Sequence, residues 1–303
     1  PHRVGLRGRV GFPLTPKAQH NTLCHNTEHY MTASFLNLKW RSAWKQHVKK
    51  VLGVRRVADL PSTVVLWAGN SLLTGDPIMV VAQCNNASSK NVKTGDMIQV
   101  AVMRQDIAPG PAYDAGLDDA VCPDDCVHRS KARHGLGTCY VDKHRLGFAW
   151  EAAMGLLQRG VVGIPDGFYT GAEIRLTNDG DGAAVPLHVL ESILHGAKGH
   201  SGYTAHWRNL DAATWGRYFM ASVSSPADAM RARAAGWRWF ASSGSAEDDA
   251  AFAALGRECN ADAHGLACVQ CHGCNGNERG ARRPSFWLAF HGAIASKVRR
   301  INN

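Results

Sequence analysis

Seven of the nine cysteines fall into two groups. Cys122, Cys126 and Cys139 lie within CPDDCVHRSKARHGLGTC, and Cys259, Cys268, Cys271 and Cys274 within CNADAHGLACVQCHGC. A thiolate is a soft ligand that suits zinc, copper(I) or iron–sulfur clusters. Cys268, Cys271 and Cys274 follow Cys-x2-Cys-x2-Cys, with Cys259 nine residues upstream. Two-residue spacing lets neighbouring thiolates converge on one ion or cluster, and Gly273 and Gly276 free the backbone to turn. The spacing therefore predicts a metal site, either an iron–sulfur cluster or Zn2+. The bacterial ferredoxin run shares it, although its fourth ligand follows the run.

The first group reads Cys-x3-Cys-x12-Cys, with His128 and His134 available to complete a zinc set. Radical S-adenosylmethionine enzymes use Cys-x3-Cys-x2-Cys, and Arg129 stands where that third cysteine would be. Three thiolates around a four-iron cluster would still leave one iron open. Seven thiolates are too many for one mononuclear zinc, so two sites, or one cluster with spare cysteines, are expected. Cys24 and Cys84 stand apart and read as small core residues.

Other chemistry gathers at predicted strand ends, where parallel α/β folds build their sites. These ends carry Arg175, Asn178 and Asp179, then Thr204, His206 and Arg208, then Ser222 and Ser224, then Ser242 and Ser243, and last His291. His206 is the acid/base candidate, because imidazole titrates near neutrality. Arg175, Arg208 and Lys93 are the phosphate-binding candidates, with Ser222 and Ser224 beside them in a catalytic rim. Lys93 lies in SSKNVKTGD, which lacks the earlier glycine of a phosphate loop and precedes a strand, so a turn is the better reading. The tryptophans offer base stacking, with core packing the simpler role.

The elements that must position these residues are legible from periodicity. Residues 35–52 space apolar side chains at Leu36, Trp40, Trp44, Val48 and Val51, an amphipathic helix with a basic outer face. Segments 63–70, 77–83 and 96–104 read as three strands of a small antiparallel sheet. Residues 105–138 read as a long loop that the first cysteine group would hold. Helices follow at 148–160, 184–197, 212–218 and 226–236, with a further helix opened by Glu247, Asp248 and Asp249. Strands are expected at 172–178, 202–208, 218–224, 236–243 and 285–292. This alternation implies parallel βαβ units. The fold expected is α/β, a partial or distorted parallel β/α barrel, with an open doubly wound sheet as the alternative. In a nearly closed sheet the first and last strands meet, which would bring both cysteine groups to one rim.

Composition sets the outer limits. The chain has 303 residues, 45% hydrophobic and 19% charged, a globular balance. No apolar run reaches the ~18 residues of a membrane span, and no secretory signal pattern opens the chain. A reducing compartment is therefore expected, in which disulfides do not account for the cysteines. The net charge of +9 comes from residues 1–60, where eleven Lys and Arg face Glu28 and Asp59 alone. That basic segment is expected to be partly disordered, ahead of one α/β domain over 61–303. Residues 1–30 have weak periodicity, and Met31 opens a cleaner pattern.

Several motifs occur in a fixed order: WAGNSLLTGDPIMVVA, NVKTGDMIQVAVM, CPDDCVHR with GTCYV, GYTAHWR, MASVSS, GWRWF, the last cysteine group and FHG. Over residues 63–292 this set resembles a family of bacteriophage- and plasmid-borne proteins without an established activity. The resemblance implies a mobile-element origin and a bacterial cytoplasm. A departure is Cys259-Asn-Ala-Asp, where a proline and a serine are expected near the cysteine. The reading that follows is a metal- or iron–sulfur-binding enzyme acting on a nucleotide or nucleic acid. The competing reading is a non-enzymatic zinc-stabilised module whose basic first 60 residues bind nucleic acid by counterion release.

Overall fold

A computed structural model describes residues 41–84, 93–277 and 283–290. The basic run up to residue 40, Cys24, residues 88–92 of the Lys-Thr-Gly turn and His291 lie outside the described residues. Residues 41–51 are helical (α1), and the chain then forms β1 (Thr63–Asn70), β2 (Pro77–Gln83) and β3 (Ile98–Arg104). Helices α2 (Pro109–Ala115) and α3 (Gly147–Gln158) precede β4 (Glu173–Asp179), α4 (Leu187–Leu194) and β5 (Gly199–Ser201). Then come β6 (Tyr203–Thr204), α5 (Ala212–Trp215), β7 (Met220–Val223), α6 (Pro226–Ala234), β8 (Trp239–Ser243) and α7 (Ala246–Leu255). The last elements are β9 (Arg257–Glu258), α8 (Asn260–His264), α9 (Cys268–Cys271) and β10 (Phe286–Ala289).

Two five-stranded sheets result, ordered β1-β2-β3-β4-β5 and β6-β7-β8-β10-β9. The first is mixed: β1, β2 and β3 pair antiparallel, and β3, β4 and β5 pair parallel. The second is parallel throughout. The expected small antiparallel sheet is therefore not separate; it continues into the parallel strands. Among the described residues no barrel is seen: β1 and β5 end one strand order, and β6 and β9 end the other.

Strands β2 and β3 are almost wholly apolar because both faces are covered. Ile78, Val80, Ala82, Val100 and Val102 join the main core with Trp44 and Val48 of α1. Met79, Val81, Ala101 and Met103 face a second core beneath α3, around Leu146 and Ala153. The part of the basic segment that is described thus belongs to the packed fold. Arg41 is buried, donating to the carbonyls of Asp96 and Cys84 at 2.7 and 2.9 Å.

The later strands divide their faces by the two-residue period of a β-strand. Ile174, Leu176, Ala221, Val223, Trp239 and Ala241 enter the core. The residues between them point the other way, and these build the site. Helix starts match their chemistry: Ser225 precedes Pro226 and accepts from Asp228 N at 3.1 Å, and Ser245 caps α7 in the same manner.

Three segments depart from expectation. The long loop contains α2, whose Pro109 sits in the opening turn and whose end is set by Gly116 at φ 69°. The Gly/Pro composition hides this short helix. The strand expected over 202–208 stops at Thr204, because the buried Asp181 carboxylate accepts Ala205 N at 2.7 Å and draws the backbone away from the sheet. A 3-10 turn, Trp207–Asn209, follows. Strand β5 is new: three residues flanked by Lys198 and Gly202 are too few for a periodic signal.

Gly202 is where the chain leaves one sheet and enters the other. Its N–H donates to Cys274 O at 3.2 Å, and its carbonyl accepts Met220 N at 3.0 Å. A Cβ here would meet the Phe219 ring at 2.8 Å and Tyr218 O at 3.1 Å. We expect Gly202→Val to destabilise the protein by about 1–3 kcal/mol through overpacking, seen as a lower thermal unfolding midpoint. An unchanged midpoint would show that this junction is looser than the contacts imply.

Candidate functional site

The outward positions of the parallel strands face a cavity of about 390 Å³, roofed by the cysteine-rich segment. Arg175 of β4, Ser201 of β5, Tyr203 of β6, Ser222 of β7, and Phe240 and Ser242 of β8 form its floor. Phe286 and Leu288 of β10 complete that floor, and Lys93 and His272 also line the space. A wider cleft of about 560 Å³ lies over α4 between Trp67, Asp166, His188 and His195. It contains no thiol and none of the strand-end residues, so the smaller cavity is the candidate site.

Arg175 stacks on the Tyr203 ring, with its guanidinium carbon 4.3 Å from the centroid, and donates to Ser201 Oγ at 3.3 Å. Tyr203 in turn stacks on Phe240 at 4.6 Å. Burial opposes the charge of Arg175, yet Tyr203 and the thiols of Cys268 and Cys274 outweigh it and raise the guanidinium pKa. Among the described residues no carboxylate pairs with Arg175. The groups nearest its charge are the Tyr203 phenol and the Cys268 and Cys274 thiols.

Six cysteines from both groups line this one cavity: Cys126, Cys139, Cys259, Cys268, Cys271 and Cys274. The second group is held by backbone contacts from across the fold. Cys259 N donates to Trp287 O and Cys268 N to Lys93 O, each at 2.7 Å. Two arginines clamp the carbonyls of the turn. Arg238 reaches Gly273 O and Pro284 O at 2.6 Å, with Gly276 O also bound, and Arg283 reaches His272 O at 2.9 Å. His272 ends α9 in the left-handed region at φ 48°, a strained position that turns the chain between Cys271 and Cys274. Its Nε2 lies 3.1 Å from Oε2 of the fully buried Glu173, and Lys198 Nζ lies 3.3 Å from the other oxygen. These ion contacts lack the alignment of hydrogen bonds, since both carboxylate oxygens and Nε2 have no hydrogen-bond partner.

The first group sits on a loop that doubles back. Leu136 N bonds Val127 O and Gly137 N bonds Arg129 O, both at 2.8 Å, which returns Cys139 toward Cys126. A buried ion pair, Arg129 with Asp118 at 2.7 Å, anchors it. Backbone pairing and this ion pair give the loop its shape. Cys122 lies behind the wall, 3.9 Å from the Lys143 ammonium, which is itself ion-paired with buried Asp179. Burial works against the Lys143 charge, and Asp179 with the thiols of Cys122 and Cys139 overrides it.

All described cysteines are free thiols. Among the described residues, no three or more His, Cys, Asp or Glu side chains are gathered in ligating geometry. The donors are of the soft type that suits zinc or iron–sulfur clusters: Cys268 lies in the field of Cys259, Cys271 and Arg175, and Cys274 in that of Cys268, Cys259 and Arg175. Burial pushes the Cys274 thiol up to about 12 and the Cys268 thiol to about 11, with Arg175 pulling both down. Burial likewise raises Cys126 to about 11.

The predicted rim divides. Arg175, Ser222 and Lys93 meet the thiols in the cavity, whereas His206, Arg208 and Ser224 do not line it. His206 Nδ1 lies 2.9 Å from Asp125 Oδ2, which also accepts Asn209 Nδ2 at 3.0 Å. Arg208 stacks on Trp207 and pairs with Asp228 at 2.7 Å, and Ser224 donates to the same carboxylate at 3.3 Å. Tyr203, Phe240, Ser201 and His272 were missed. Tyr203 and Phe240 carry a period-2 signal with the serines beside them, whereas His272 is a loop residue without one.

No protein-family model, curated protein or solved structure matches the chain. No described helix is long and apolar enough to cross a membrane.

The raised thiols make a pH prediction. Unfolded cysteines ionise near pH ~8.5, and the folded Cys126, Cys268 and Cys274 hold their protons to about 11–12. The folded state then binds more protons, so this contribution is present below pH ~8.5 and is lost as pH rises toward the folded values. Metal-free protein is expected to melt at progressively lower temperature from pH 8 to pH 10.5, with a shallower slope in Cys274→Ala.

Proposed function

We propose that the chain is a thiolate metalloprotein, holding Zn2+ or an iron–sulfur cluster on Cys259, Cys268, Cys271 and Cys274. The cavity beside this centre binds an anionic, ring-bearing molecule of the nucleotide class. The setting implied by the motif resemblance is a mobile-element protein in a bacterial cytoplasm. The observation that carries the reading is Arg175, a half-buried cation set among thiols, with the Tyr203–Phe240 stack beside it.

Charge balance supports it. Four thiolates around divalent zinc leave a net charge of about −2, and Arg175 on the cavity side and Arg238 beneath the turn supply opposing charge. Isolated buried charge is costly, so a cation without a carboxylate calls for thiolates or a bound anion. When bound, such a centre supplies either Lewis acidity or one-electron chemistry.

The chain's own residues define the rest. Arg175 holds a phosphate oxygen, with Lys93 at the rim as a second cation. Ser222 and Ser242 offer hydroxyls along the strands, and Phe286 and Leu288 give an apolar surface for a ring. His206 stays with Asp125 as a positioning pair on the first cysteine loop.

Anaerobically purified protein is expected to contain zinc or iron, and Cys268→Ser with Cys271→Ser to lose it. Finding neither metal removes the reading. Calorimetric titration with ADP is expected to show binding that weakens at least ~10-fold in Arg175→Ala, about 1.4 kcal/mol or more. Ser224→Ala, outside the cavity, keeps wild-type affinity. Equal weakening in both variants would detach the nucleotide from this cavity.

A further inference from the structure

Arg208, turned away from the thiol cavity, lines a different pocket. A cavity of about 440 Å³ lies between the 3-10 turn Trp207–Asn209, the start of α5 and the C-terminal half of α6. Arg208, Arg231, Asp211, Leu210, Trp207 and Trp237 line it, and it shares no lining residue with the thiol cavity. We infer that this pocket is a second ligand site for a small ring-bearing oxyanion, of which an aryl phosphate is the simplest example. The inference is independent of the thiolate reading.

Two guanidiniums meet there on one carboxylate oxygen. Arg208 and Arg231 each bring Nη2 to Asp228 Oδ1, Arg208 at 2.7 Å, and Ser224 Oγ donates to Oδ2 at 3.3 Å. Burial opposes the charge of Asp228, and Arg231 and Arg208 override it. Two cations against one anion leave positive charge in excess. One guanidinium would suffice to hold a buried carboxylate, and the side chain of Arg231 is 68% exposed. The other acid on the pocket wall, Asp211, caps α5. It accepts Ala213 N at 3.3 Å, Thr214 N at 2.8 Å and Thr214 Oγ1 at 2.6 Å, and it is exposed, so water screens its charge.

The pocket's side-chain acceptors are thus engaged, and its donors are not. A guanidinium carries five N–H groups in a planar fork. Among the described residues, Asp228 is the one acidic partner of Arg208 and of Arg231, and the buried Nε1 of Trp207 has no hydrogen-bond partner. The complement of such a wall is an anion with several acceptor oxygens, which an arginine fork matches in shape.

The remaining surface suits a ring. Trp207 and Trp237 are buried members of the main core, so they meet the pocket as fixed walls. The Arg208 guanidinium carbon lies 4.4 Å from the centroid of the Trp207 ring. That stacking and the Asp228 pair set the fork in place before a ligand arrives, which lowers the ordering cost of binding. Leu210, Ala212 and Ala235 add alkyl surface.

Calorimetric titration of full-length Arg175→Ala protein with phenyl phosphate tests this, since that change removes the cation of the thiol cavity. One-site binding is expected, and adding Arg231→Ala is expected to weaken it at least ~10-fold. Inorganic phosphate, which lacks the ring, is expected to bind at least ~10-fold more weakly than phenyl phosphate. No binding to Arg175→Ala, unchanged affinity after Arg231→Ala, or equal affinity for the two phosphates overturns the inference. A variant that fails to fold is bypassed in wild type. There phenyl phosphate is expected to slow modification of Arg231 by phenylglyoxal, read by mass spectrometry, and unslowed modification overturns the inference. Absence of metal, or of ADP binding that depends on Arg175, would remove the thiolate or nucleotide reading and leave this site standing; failure here leaves those readings untouched.

Discussion

Buried positive charge beside sulfur is the constraint on which this molecule turns. Lys143 sits out of water next to cysteines, Arg175 is half-buried beside them, and Arg238 is buried beneath the second group. Desolvation alone would favour their neutral forms, or expulsion to the surface. What holds Arg175 is the Tyr203 ring and the polarisable sulfur beside it. What keeps Lys143 inside is Asp179 and, again, sulfur. The relation is reciprocal: the cations lower the cost of ionising thiols whose own burial resists it. A fold that buries cations and thiols together is prepared for thiolates.

That preparation depends on backbone that leaves little room for change. The two sheets exchange the chain at Gly202, and the same residue ties to Cys274 O. The sheet junction and the cysteine turn are thus one piece of structure. Around it, the strand period sorts side chains so that alkyl groups enter the core while Arg175, Ser201, Tyr203, Ser222, Phe240 and Ser242 share one face. The cavity floor is a by-product of pleating, supplied by these residues together with Phe286 and Leu288 of β10.

Much of this was legible in the residues and some was not. Strands β1 and β2 stand where periodicity put them, and the caps at Ser225 and Ser245 follow from local chemistry. The meeting of the cysteine groups on one wall was expected from strand adjacency. It arises differently: no barrel closes, and the second group folds back over β4 and β5 through Gly202, Glu173 and Lys93. The GYTAHWR strand misled because Asp181, more than twenty residues away, competes for the Ala205 N–H. His206 and Arg208 left the rim for the same reason, since everything after Thr204 turns out of the sheet. Local patterns carry no record of such a distant acceptor.

The long sequence separation of the cysteine groups follows from this architecture. A site beside a parallel sheet draws on whatever segments reach its open face, and those segments lie between strands. The first group occupies the crossover from β3 to β4, and the second occupies the passage from β9 to β10. Each is anchored locally, by Arg129 with Asp118 in one case and by Arg238 with Arg283 in the other. Neither anchor involves the other group. Two independently braced sets of thiols that share a cavity, and do not share a clamp, can each change without disturbing the backbone that holds the other.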